Sequence, residues 1–358
     1  MNGTGRPSEK LLNFLALDRY TERLCAVRVA SDALGWTRFC GSLSLVLVVL
    51  LFLSGAFLMF YYSPTPGAAY DSVDFAQFSV PFGDIVRGVH YYAWNLLLVV
   101  LGLHLAGTFL TAAYKSPRQL VWISGVLILL VVPLFIITGD LLPWDQKGYW
   151  TTQVRSSIIS SIPLVGDLTL RLLQGGPRTG IVTLTRFYAL HCVFLPSLLV
   201  ALIVIHFHFL AHRGVSEPLR EGKADRGCIP LFPDLVNRWL LLFAAVAVVL
   251  GLVSAYWPAP LDSPADPTDS AYVPKPEWWV LALNQQVSIF KGPFMFIGTG
   301  VIPGSLAALL IALPFLDRSP ERLPVKRKTV MVLAVIMLIL LAGLSLMGYI
   351  EHFMTPHP

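Results

Sequence analysis

Seven apolar runs punctuate this chain, at about residues 43–60, 89–112, 121–139, 187–210, 238–256, 294–316 and 330–349. Each is close to the ~20 residues that a helix needs to cross ~30 Å of hydrocarbon. Inside a bilayer, backbone polar groups must be satisfied within the protein, so runs of this length become helices. The expected fold is all-α, a polytopic membrane bundle of seven transmembrane helices. Composition agrees: 13% of residues are charged and 55% hydrophobic, whereas a soluble domain carries about 25% charge. The net charge of +5 is dispersed over short loops, which speaks against a nucleic-acid partner. Cys25, Cys40, Cys192 and Cys228 form no CxxC and no zinc or iron–sulfur spacing. Residues 1–10 are polar and the first apolar run is too long for a signal-peptide core, so no cleaved leader is expected.

An odd number of spans places the termini on opposite sides. Of the 26 Lys and Arg residues, 18 fall on the side of the N-terminus and 8 on the other. The positive-inside rule then makes the N-terminus cytoplasmic and the C-terminus external, in the inner membrane of a bacterial cell. Residues 9–24 carry Leu11, Leu12, Leu15 and Leu17 with Arg19 and Arg23. They read either as a helix on the inner lipid surface or as a polar lead-in. The expected organisation is a cytoplasmic region (1–37), a four-helix part (38–210), a cytoplasmic linker (211–237) and a three-helix part (238–358).

Four of the eight histidines lie inside the second and fourth runs: His90 and His104, and His191 and His206. Spacings of 14 and 15 residues correspond to about 21 and 22 Å along a helix. Each pair returns to within roughly 40–60° of one face. Both runs cross in the same direction, so His90 and His191 share the outer level and His104 and His206 the inner one. Two cross-helix pairs match two bis-histidine haems, with His90 and His191 on the outer iron and His104 and His206 on the inner; the alternative is core histidines bonded to neighbouring helices, which four at paired depths disfavour. Filled axial positions favour electron transfer over oxygen chemistry. His208 faces about 160° away from His206. Gly41 and Gly55, and Gly125 and Gly139, repeat the 14-residue spacing on the first and third runs. Glycine there leaves room for a flat macrocycle or serves ordinary helix packing. Arg87, one turn before His90, suits a haem propionate, or simply anchors the membrane edge.

Beyond this, the chain resembles cytochrome b of the cytochrome bc1/b6f family. The likeness runs through "GAFLMFYYSP", "RGVHYYAWNLLLVVLGLH", "SPRQLVWISGV", "ITGDLLPWDQKGYW", "TRFYALHCVFLPSLLVALIVIH" and "PEWW". The 15-residue His191–His206 spacing and Pro196 are similar to the b6 branch. On this likeness, 38–210 resembles cytochrome b6 and 238–358 resembles subunit IV, fused through 211–237. The resemblance implies a quinol-oxidising subunit with an outer quinol site and a second quinone site near the inner face. One electron goes to a Rieske iron–sulfur protein and on to a cytochrome c-type acceptor. The other crosses by way of the two haems, with proton translocation. It also implies a homodimer in a larger lipid-embedded complex. Pro276, Glu277, Trp278 and Trp279 match the family's PEWY motif. By position alone Glu277 reads as a solvated loop acid; the motif makes it the proton acceptor. Ile162, Pro163 and Leu164 resemble the helix that roofs the outer quinone.

The sequence also departs from that pattern. Trp279 stands for the motif's tyrosine. Asp140 stands where the family has tyrosine, as a second proton handler or as the cap of its helix. Gly107 replaces an arginine, with Lys115, Arg118 and Arg213 as possible substitutes. Cys40 is a candidate tether for a third, covalent haem. Two other classes compete: a di-haem b anchor of another quinone-linked oxidoreductase, and a non-redox transporter or structural subunit.

Overall fold

The computed structural model describes residues 28–30, 36–176, 178–214, 216, 228–230, 234–269 and 271–354. The segment 9–24 and most of the 211–237 linker lie outside the described residues. Seven helices among the described residues are long and apolar enough to span a bilayer. They are α1 (Trp36–Tyr61), α3 (Gly83–Leu110), α4 (Gln119–Asp140), α7 (Ile181–Arg213), α8 (Val236–Tyr256), α10 (Gly292–Leu316) and α11 (Lys328–Met354). All seven expected runs are therefore helical. The helices overrun the apolar stretches because helix continues into the polar boundary; α1 starts at Trp36 and takes in Arg38 and Cys40.

Shorter helices fill the connections: α2 (Ala69–Phe78), α5 (Gln146–Ser160), α6 (Gly166–Leu173) and α9 (Leu281–Ile289). One element is not helical. Strands β1 (Arg28–Ala30) and β2 (Cys228–Pro230) pair antiparallel, Arg28 opposite Pro230.

The chain separates into two compact units. The first holds Met1–Ser54, Ile85–Gly107 and Arg220–Pro258. Here α8 closes on α3 where Gly88 lies against the Ser254 side chain, a contact that a Cβ would obstruct. Small residues at such crossings let membrane helices approach closely. Tyr92 Oη donates to the Trp257 carbonyl (3.0 Å), and Trp239 Nε1 to Ser42 Oγ (3.2 Å).

The second unit holds Gly55–Asp84, Thr108–Leu219 and Ala259–Pro358. Its buried core at one end is Ala69, Leu141, Trp144, Tyr149, Leu184 and Phe187. The segment after α8 is laced to the loop before α5. Gln146 N–H donates to the Ser263 carbonyl (2.9 Å) and Ala265 N–H to the Trp144 carbonyl (3.0 Å). The α9 helix packs on α11, where Gly348 admits the Leu281 carbonyl and Asn284 Nδ2 meets His352 Nε2 at 2.9 Å. Trp122 Nε1 on α4 donates to the Leu310 carbonyl of α10 (2.6 Å).

Candidate functional site

Each unit holds two of the four span histidines, and all four rings are fixed through Nδ1. In the first unit, His90 Nδ1 lies 2.9 Å from Ser54 Oγ, and His104 Nδ1 lies 2.7 Å from the Thr37 carbonyl. In the second, His206 Nδ1 lies 3.0 Å from Ser124 Oγ. His191 Nδ1 lies 3.2 Å from Thr138 Oγ1 and 3.1 Å from the Phe135 carbonyl. The hydroxyl protons are already committed to helix carbonyls: Ser54 to Leu50 (2.7 Å), Ser124 to Leu120 (2.8 Å), Thr138 to Leu134 (2.7 Å). The hydroxyl oxygens and the two carbonyls therefore accept from Nδ1–H. That assigns one tautomer to all four imidazoles and leaves the lone pair on Nε2, the form that ligates a metal.

Glycines lie against these rings. A Cβ on Gly139 would fall 2.6 Å from His191 Cε1, one on Gly41 3.1 Å from His104 Cε1, and one on Gly125 3.4 Å from His206 Cε1. At Gly139 and Gly41 only a hydrogen leaves the ring edge undisturbed, whereas a Cβ at Gly125 would make ordinary contact. The residues thus fit b-type haem. Gly55 directly follows Ser54, the partner of His90. Arg87 is half-buried one turn before His90. Among the described residues no group of three or more His, Cys, Asp or Glu side chains gathers in a way that could hold a metal ion.

The unequal spacings of the two pairs have a structural cause. Leu190–Phe194 forms a π turn inside α7, in which Leu195 N–H reaches back to the Leu190 carbonyl. Such a turn absorbs one extra residue. It sits just before Pro196, which has no N–H to continue the ladder. With one residue absorbed, the 15-residue step from His191 to His206 turns through the same angle as the 14-residue step from His90 to His104. His206 meets α4, while His208 lies against His212, ring centroids 4.2 Å apart, at an exposed position.

At the Asp140 end of the second unit, acids meet bases. Lys147, in the first turn of α5, is ion-paired with Glu277, both side chains mostly buried. Arg155 Nη2 lies 3.0 Å from Asp140 Oδ2. Asp145 caps α5, its Oδ1 accepting from Gly148 N–H (2.8 Å) and its Oδ2 from Asp262 N–H (3.2 Å). Burial pushes the Asp145 carboxyl up from its ordinary value, against the pull of those two amides. Pro276 and Glu277 are extended and lead into the tight turn Trp278–Val280. Trp278 is 47% exposed. Trp279 is half-buried, and its indole N–H is buried without an acceptor among the described residues. Ile162 lies beneath Gly300, 3.7 Å from where its Cβ would stand.

The family described as cytochrome b (N-terminal)/b6/petB matches residues 95–264. Cytochrome b6 from Synechococcus sp. (strain CC9605) is 40% identical over 179 residues, which is 50% of this chain and 82% of that protein. Cytochrome b6 from Prochlorococcus marinus (strain NATL1A) matches to the same extent. This chain belongs to the cytochrome b/b6 family. Similarity extends to a solved chain of a "Hyperthermophilic respiratory Complex III", with TM-score 0.79 and 28% identity, over 97% of this chain and 92% of that one. A cytochrome b/bc-type electron-transfer role in a membrane-spanning redox subunit follows.

At Gly107 a Cβ would stand 2.7 Å from Thr37 Oγ1 and 2.9 Å from Trp36 Nε1, so a larger side chain would require those two side chains to shift. Lys115 lies in the connection after α3. Its ammonium is held by Asp317 Oδ1 (2.9 Å) and the carbonyls of Ser319 (2.6 Å) and Glu321 (2.8 Å). Arg118 Nε donates to the Ala113 carbonyl (3.1 Å). Asp140 is the partner of Arg155 rather than an isolated helix cap. Cys40 is buried on α1, 3% exposed.

Sequence reasoning missed the Nδ1 acceptors, although a signal was present: Ser54, Ser124 and Thr138 each immediately precede one of the four glycines. It also missed Lys147 and Arg155, whose partners lie far along the chain or in another element.

Proposed function

We propose that this chain is the quinol-oxidising cytochrome b subunit of a bc-type complex. In this reading His90 and His191 hold the outer haem iron, and His104 and His206 the inner one. When bound, the two haems supply a one-electron relay between the membrane faces. The chain's own part is to orient the Nε2 lone pairs through the four Nδ1 bonds and to keep space at Gly41, Gly55, Gly125 and Gly139. Arg87 offers a cation to an outer propionate. Quinol binds beside Pro276, Trp278 and Trp279, and its hydroxyl proton passes to the Glu277 carboxylate, which carries it toward water. Asp140, with Arg155, is a second charged group at that end. One electron leaves to a Rieske protein and a cytochrome c-type acceptor, carried on separate chains; the other goes to quinone at the inner face.

Protons are released outside and taken up inside. The cytoplasmic N-terminus, external C-terminus, bacterial inner membrane, homodimer and division into a four-helix di-haem domain and a three-helix quinone-site domain belong to the same proposal. It is carried by one observation: each of the four span histidines is held at Nδ1 by a hydroxyl or carbonyl oxygen of a neighbouring helix. Reduced-minus-oxidised spectra of the purified complex test it. Two b-type components of unequal potential are expected. His90→Ala and His191→Ala should each remove one, and His104→Ala and His206→Ala the other. Absence of b-type bands in the unsubstituted protein overturns the reading.

A further inference from the structure

The sequence motif accounts for Glu277 but not for the cation that faces it. Lys147 is the second residue of α5, inside the first helical turn, and no acidic residue shares that turn. The positive pole of a helix N-terminus disfavours a lysine there and attracts a carboxylate. The Asp145 cap already places one carboxylate at that pole, and Glu277, from 130 residues along the chain, brings a second onto Lys147 itself. Both participants are held by rigid neighbours. The Asp145 cap and the strand-like pairing of Asp145 with Pro264 fix the start of α5. Pro276 and the turn Trp278–Val280 fix the backbone on either side of Glu277. The Glu277 side chain is 13% exposed and that of Lys147 30%, so the lysine is the more open of the two toward water.

We propose that Lys147 is a positioning residue for quinol oxidation, a latch that holds the Glu277 carboxylate where it receives the quinol proton and releases it once it is protonated. This rests on the proposed role of Glu277. The attraction exists only between ammonium and carboxylate. When a quinol hydroxyl gives its proton to Glu277, the O–H bond of quinol breaks and one forms on the carboxyl oxygen, and the ion pair is lost. The neutral acid is then free to rotate away from α5. Lys147 is the more exposed of the two side chains, which brings water within reach of the pair where the proton leaves. Return of the carboxylate to its anionic form re-forms the pair and resets the site. Lys147 transfers no proton itself and needs no contact with quinol.

The test uses native membranes carrying the full chain with its partners, and a reduced short-chain quinol as the probe. Lys147→Met and Lys147→Gln should each lower turnover by about 10- to 100-fold, the scale of a misplaced reacting group. Lys147→Arg should restore most of it. Adding Lys147→Met to Glu277→Gln should cost nothing further, because the latch acts only through that carboxylate. The carboxyl band lost from redox-difference infrared spectra in Glu277→Gln should shift in Lys147→Met. Unchanged turnover in both Lys147→Met and Lys147→Gln, or an undiminished effect of Lys147→Met in the Glu277→Gln background, overturns the latch. If Glu277→Gln itself oxidises quinol at the full rate, the parent role of Glu277 fails instead.

Discussion

Lys115 and Asp317 form a buried ion pair, Nζ to Oδ1 2.9 Å, between residues 202 positions apart. It is the centre of a polar knot that ties the connection after α3 to the connection before α11. Tyr114 Oη donates to Asp317 Oδ2 (2.5 Å), and Arg327 Nη1 donates to Tyr114 Oη (2.7 Å). Arg327 also reaches the Phe109 and Leu110 carbonyls and lies over the Phe109 and Tyr114 rings. One carboxylate thus serves two buried cations.

Removing that carboxylate leaves both cations without their shared counter-charge. Asp317→Ala should cost about 3–5 kcal/mol, the scale of breaking a buried pair. Lowered thermal stability of the detergent-solubilised protein, followed by circular dichroism, checks this. The pair also has a pH signature. Burial raises the Asp317 carboxyl, but Tyr114, Lys115 and Arg327 together hold it below its ordinary value. A folded value below the unfolded one means that the stabilisation is full above the unfolded value of about 3.9 and fades as pH falls below it. Asp317→Asn should flatten the acid side of the stability curve, and an unchanged acid limb would reject the coupling.

The glycines against the histidine rings predict a graded series. Gly139→Ala places a Cβ 2.6 Å from His191 Cε1, a separation that real contacts do not show, so the ring must move. Gly41→Ala meets His104 at 3.1 Å and requires a small shift, and Gly125→Ala meets His206 at 3.4 Å, ordinary contact. Loss of the b-type band should therefore be greatest for Gly139→Ala and least for Gly125→Ala. Equal losses, or the reverse order, would show that these glycines serve only helix packing. Removing an Nδ1 acceptor acts differently. Ser124→Ala should weaken haem retention about 10- to 100-fold, as loss of an outer-shell partner does. Thr138→Val should do less, because the Phe135 carbonyl still accepts from His191.

How much of this was legible in the residues depends on the range of the interaction. The seven spans were readable because each is a local, continuous apolar run. That His90, His104, His191 and His206 lie within spanning helices was readable for the same reason, since each stands inside or at the edge of such a run. The π turn at Leu190–Phe194 was not, because a shift from i−4 to i−5 bonding leaves no mark in composition; Pro196 is its only local trace. Lys147 and Glu277, Arg155 and Asp140, and Lys115 and Asp317 were not paired by the sequence either. Charge sign alone does not choose among several acids when the partner is brought up by tertiary packing. The paired strands at Arg28–Ala30 and Cys228–Pro230 were missed for the same reason, since three residues carry no period.

The Asp140–Arg155 pair predicts compensation. The guanidinium lies 3.0 Å from Asp140 Oδ2 but without hydrogen-bond alignment, and both side chains are mostly buried. Asp140→Asn removes the negative charge and leaves the buried cation. It should destabilise the Asp140 end by about 1–3 kcal/mol. Replacing both partners, Asp140→Asn with Arg155→Met, should recover most of that loss, because a neutral pair leaves no buried charge. A double-mutant cycle on thermal stability measures the coupling. Additive losses would show that the two charges act independently.

Trp279 tests the proposed quinol site directly. Its indole N–H is buried and has no acceptor among the described residues. An indole nitrogen only donates, and a buried donor left unmade costs about 1–3 kcal/mol. A quinol or quinone oxygen at this end of the second unit would satisfy it. Trp279→Phe keeps a large ring but deletes the donor, so it should relieve that cost in the empty protein and weaken binding. The expected outcome is a rise in KM for a short-chain quinol of about tenfold, the equivalent of one such bond, with kcat nearly unchanged, since a bond made equally to the ground and transition states is uniform binding. Trp279→Tyr restores a donor of different reach and should recover part of the affinity. An unchanged KM in Trp279→Phe would place the quinol oxygen away from the indole and leave Glu277 as the polar group of the motif that meets it.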